Sequence, residues 1–91
     1  MQEFPSLDLL RNGILDLLSS VDIATEENIQ LLDYIIKLFD DNGLSSDYYG
    51  YHNIDHELEV TYVTLMSAIH SFNAKKFEID DVKYLFASAL L

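Results

Sequence analysis

Cysteine and tryptophan do not occur in this chain, proline occurs once, glycine three times, and only five residues are lysine or arginine. Without cysteine there is no disulfide framework and no thiolate metal site, although that absence does not assign a compartment. With Pro5 the sole proline, no proline-rich linker divides the sequence, and no internal repeat or low-complexity segment is evident, so residues 1–91 read as one helical unit. The five bases, Arg11, Lys37, Lys75, Lys76 and Lys83, stand against sixteen acids and give a formal charge of -11. Such a balance repels phosphate backbones and anionic membranes, so nucleic acid is not an expected partner. The acids are scattered and do not form a tail, which is the pattern of a solvated surface. No apolar run approaches membrane-spanning length, and Met1-Gln2-Glu3-Phe4-Pro5 lacks the basic segment and apolar stretch of a secretory signal. A cytoplasmic protein with no membrane contact is expected.

What the chain does contain is apolar side chains, 49% of the total, too many for a disordered tail. A chain this short buries only about 60 to 65% of its unfolded surface, so its stability is expected to be marginal. The apolar residues recur at three- and four-residue steps, the period of a helix with one buried stripe. Ser6 is a candidate cap for a first helix with Leu7, Leu10, Ile14, Leu17, Leu18 and Val21 on its stripe, and Gly13 weakens it slightly. Thr25 offers a second cap, Glu26 and Glu27 suit the first turn, and Ile29, Leu32, Ile35, Ile36 and Phe39 form the next stripe. Asp41-Asn42-Gly43 reads as a helix stop and not a hairpin turn, because neither flank alternates with the two-residue period of a strand.

Residues 44–52 form the one long polar and aromatic loop, with Tyr48, Tyr49 and Tyr51 in it. Asn53 then caps a third helix running to about Phe72, with Leu58, Tyr62, Leu65, Met66, Ile69 and Phe72 expected on its inner face. The fourth helix is expected to start at Asp80 or Asp81 and to carry Val82, Leu85, Phe86, Ala89 and Leu90 as its stripe. The expected fold class is therefore all-α with about four helices.

The stretch Tyr51-His52-Asn53-Ile54-Asp55-His56-Glu57-Leu58-Glu59-Val60 places two histidines and an asparagine where the loop enters the third helix. If Asn53 is the cap, His52 lies just outside the helix and His56 at its third position. The two are then not an ordinary pair on one helix face. A zinc clip from these histidines lacks a third ligand, and Val60 stands where a metalloprotease would need its second histidine. Left to themselves, the histidines read as local caps or packing groups beside the tyrosines. His70 reads as an ordinary surface or packing residue.

The pattern Y-H-N-x-x-H-x-x-x-V resembles the first metal-binding motif of the HD superfamily of metal-dependent phosphohydrolases, in the form also found in cyclic-nucleotide phosphodiesterases. The segment Ile79 to Leu91 resembles in general character the apolar helix that precedes that family's His-Asp pair, and no such pair occurs in this sequence. The resemblance implies the N-terminal portion of a partial HD-like bundle that ends before the pair. It also implies a divalent metal ion of unspecified identity in the completed domain, a phosphate ester or nucleotide as substrate, and metal-assisted hydrolysis. By the resemblance, His56 is the metal ligand, His52 the group that protonates the leaving oxygen, and Tyr51 a hydroxyl near the substrate, while Asn53 is most simply a cap. One histidine does not hold a catalytic metal, so this 91-residue chain is expected to bind none stably and to be inactive by itself. The rival expectation is a non-catalytic helical interaction module, whose apolar C-terminal helix pairs with a second copy in a homo-oligomer or with another protein.

Overall fold

Helical periodicity without strand alternation becomes four helices: α1 (Leu7–Ser20), α2 (Glu26–Asp41), α3 (Ile54–Asn73) and α4 (Ile79–Leu90). The structure, a computed structural model, describes residues 7–45 and 53–91, and among these there is no strand. The all-α, four-helix expectation holds. The expected Ser6 cap lies outside the described residues.

Each helix buries the stripe that its spacing sets. Leu10, Ile14 and Leu18 of α1 and Val82, Phe86 and Leu90 of α4 repeat at four-residue steps, and α2 contributes Leu32 and Ile35. These i±4n rows are the ridges by which helices interlock. On α3 the buried residues are Ile54, Leu58, Thr61, Leu65, Ala68 and Ile69. Helix α3 packs most closely against α4 and α1, while α2 makes fewer close approaches to it. A bidentate ion pair further ties α2 to α1: Arg11 Nε donates to Asp33 Oδ1 at 2.8 Å and Arg11 Nη2 to Asp33 Oδ2 at 3.0 Å. The hydrogen bond to Asp33 is the main reason the Arg11 guanidinium is held above its ordinary pKa, with desolvation, the next largest effect, opposing it.

The inner face of α3 differs from its expected membership. Met66 is 46% exposed, whereas Thr61 is fully buried. Thr61 lies three residues after Leu58 and four before Leu65, in phase with the stripe, and its hydroxyl donates to the Glu57 carbonyl at 2.9 Å. Burial of the hydroxyl therefore leaves no unmet hydrogen bond. Helix α4 also starts earlier than expected. Glu78 is its N-cap, and the Glu78 N–H donates to the Asp81 carboxylate at 2.9 Å, so Asp81 serves from inside the first turn.

The C-terminal ends of α1, α2 and α3 close in the same way. After α1 the Ile23 N–H reaches the Leu18 carbonyl (2.9 Å) and Asp22 the Ser19 carbonyl; after α2 Leu44 reaches Phe39 (2.8 Å) and Gly43 reaches Asp40. After α3 Lys76 reaches Ser71 (2.9 Å) and Lys75 reaches Phe72. This paired pattern is the Schellman motif, which needs one left-handed residue just past the helix. Asp22, Gly43 and Lys75 supply it, with φ of 60°, 72° and 61°. Glycine adopts that conformation freely, aspartate with local help, and lysine against the steric cost of its Cβ.

Lys75→Gly is expected to raise unfolding stability by about 0.5–1 kcal/mol through relief of that cost. Gly43→Ala is expected to lower it by about 1 kcal/mol; a Cβ there would meet nothing within 4 Å, so the loss is conformational alone. Urea titration of both variants decides the matter, and a destabilised Lys75→Gly would contradict it. Thr61→Val should hold or raise stability by up to about 1 kcal/mol, since the Glu57 carbonyl keeps its backbone donor. A loss larger than that in thermal unfolding would show that the hydroxyl is needed.

Candidate functional site

The start of α3 is built from three backbone requirements. The first N–H groups of a helix have no partner inside it. The Ile54 N–H is taken by the Leu44 carbonyl at 2.8 Å, across the base of the segment that leads from α2. The His56 N–H is taken by the Asn53 side-chain oxygen at 2.9 Å, with Asn53 in extended geometry (φ -85°, ψ 171°). The Glu57 N–H then makes the first intrahelical bond, to the Asn53 carbonyl at 3.1 Å. Asp55 and Glu57 place negative charge at the positive end of the helix. Asn53 is therefore the cap that the sequence indicates, and His56 stands at the third helical position.

That position fixes where the imidazole sits. His56 is two residues from Ile54 and two from Leu58, so it lies across the helix from their buried stripe. It is partly buried and shares its side of α3 with Val60 and Val63, which are 43% and 54% exposed. Met66 continues the outward apolar surface. His70 is exposed in the last turn of α3, where a cationic imidazole would suit the helix dipole.

Of the residues expected to form the site, the structure thus places His56 and Asn53 together at the mouth of α3. His52 and Tyr51, with Tyr48 and Tyr49, lie outside the described residues. Among the described residues no group of three or more His, Cys, Asp or Glu side chains is arranged to hold a metal ion. At the mouth of α3 the described residues thus supply one imidazole, that of His56, which by itself does not make a complete metal site. No described helix is long and apolar enough to cross a membrane. Of the apolar stripe of α4, the surface expected for a protein partner, Val82, Phe86 and Leu90 are buried within the chain while Leu85 and Ala89 are half-buried; Tyr84 and Leu91 are exposed, at 71% and 82%.

A groove of about 440 Å³ runs between α1 and α3, lined by Leu9, Leu10, Gly13, Glu59, Tyr62 and Val63. Gly13, which costs α1 some helix propensity, is where the Tyr62 ring comes close: a Cβ on Gly13 would lie 3.1 Å from it. The signal available was the apolar residue off the α1 stripe, Leu9, which is 65% exposed.

No family model, no curated protein and no solved structure matches this chain.

Asn53→Ala is expected to cost about 1 kcal/mol of stability through loss of the cap, whereas Asn53→Asp or Asn53→Ser should cost only a few tenths. Chemical denaturation of the three variants tests this. Equal losses in all three would mean that the amide itself, and not its cap oxygen, is what the site requires.

Proposed function

We propose that this chain is the N-terminal portion of an HD-type metal-dependent phosphohydrolase, acting on a phosphate ester or nucleotide and inactive as 91 residues alone. The observation that supports the reading is the outward face of α3. The same face carries His56 at the helix mouth and, one turn on, Val60, which is 43% exposed. An imidazole at the outward face of a helix is what the reading needs for a site completed by a further packed element.

On this reading His56, neutral, gives one nitrogen to a divalent metal whose other ligands come from outside these 91 residues. The metal would supply a bound water of lowered pKa and polarise the phosphoryl oxygen. His52 donates a proton to the leaving oxygen, work for which an imidazole pKa near ~6.5 is suited at neutral pH. Tyr51 offers its hydroxyl to the substrate. Asn53 acts on the chemistry only by fixing where α3 begins. The second reading, an interaction module that uses α4, has the exposed Tyr84 and Leu91 and the half-buried Leu85 and Ala89 for its contact.

The test uses the protein as its native source produces it, supplied with manganese and assayed on bis(p-nitrophenyl) phosphate. Metal-dependent hydrolysis is expected, with His56→Ala lowering both bound metal and rate, the rate by about 100-fold or more, and His70→Ala leaving both unchanged. Absence of hydrolysis in the native protein, or metal content unmoved by His56→Ala, would overturn the reading.

A further inference from the structure

The geometry points to the groove between α1 and α3 as a docking site for a cationic amphipathic helix of a partner protein. Its floor is apolar: Leu9, Leu10 and Val63, with the Tyr62 ring over Gly13. Its charge is of one sign. Glu59 is the one carboxylate of the lining, in a chain whose formal charge is -11. Glu59 is exposed, and neither lysine nor arginine lines the groove. The nearest base along α1, Arg11, is engaged with Asp33 of α2.

An apolar trough between two helices, with a carboxylate in its lining and no base, fits one recognition mode. An amphipathic helix lays apolar side chains at three- and four-residue steps into the floor while lysines or arginines on its flanks meet the carboxylate. A second copy of this chain is the poorer occupant. Each copy carries a formal charge of -11, and a self-complementary contact would set like charges against each other. A wholly apolar ligand leaves Glu59 without a counter-charge.

The probe is a fluorescein-labelled synthetic helix of leucine and lysine with its leucines at helical spacing, titrated with the 91-residue chain and followed by anisotropy. Two controls are a peptide of the same composition in scrambled order and one with glutamate in place of lysine. Saturable one-to-one binding of the first peptide alone is expected, weakening as salt is raised. Leu9→Ser and Glu59→Lys should each weaken it about tenfold, with circular dichroism unchanged. The two substitutions lie on exposed residues, so loss of fold is separable from loss of binding. Equal binding of the scrambled peptide, or affinity unmoved by Glu59→Lys, would reduce the effect to general charge attraction and overturn the proposal. A dimer in sedimentation equilibrium that Leu9→Ser dissociates would overturn it in favour of a second copy.

Discussion

The rest of the structure depends on the burial of one face of α3. Ile54, Leu58, Thr61, Leu65, Ala68 and Ile69 form a wall on which α4 and α1 both pack closely, and α2 joins through Leu32, Ile35 and the Arg11–Asp33 pair. A helix with this role must hold its rotation, because turning it would bring His56 and Val60 inward and Leu58 out. The rotation is set at its first turn, where Leu44 and Asn53 take up the Ile54 and His56 N–H groups. The packing of the core and the outward placement of the imidazole are thus one constraint seen from two sides of the same helix.

The thinness of the molecule explains why so much apolar surface remains. Its extents are 39 × 31 × 18 Å, and the short dimension has room for two packed helices, whose axes lie about 8–10 Å apart, and no more. The assembly is therefore two helical layers deep, and no helix can be covered on every side. For α3 the layer arrangement leaves Val60, Val63 and Met66 in solvent while the opposite face is sealed.

Much of this was legible in the sequence. The stripes of α1 and α4 follow directly from four-residue recurrence, and Thr25, Asn53 and Asn42-Gly43 mark helix ends by side-chain chemistry that acts locally. What was not legible depended on tertiary phase. Apolar character alone favours Met66 over Thr61 on the inner face, yet phase with Leu58 and Leu65 buries the threonine, and its hydroxyl bond to Glu57 removes the penalty that polarity suggests. Lys75 carries no turn signature, and its left-handed backbone follows from where α3 must end for α4 to pack back. At the site, His56 could be placed because a cap sets its position by counting. The side chains of Tyr51 and His52 have no such local rule.

The hydrogen bond from the Ile54 N–H to the Leu44 carbonyl gives the two sides of the site different tolerance to change in length. It pins the two ends of the intervening segment to each other, so residues added within it enlarge a closed loop whose entropy grows only logarithmically, about 0.6 kcal/mol for each doubling. One residue added after Ile54 would instead turn His56 and every later α3 side chain by about 100° relative to the cap, and the buried stripe with them. Evolution can thus vary how far the tyrosine-rich segment reaches from the helix without disturbing the imidazole behind it.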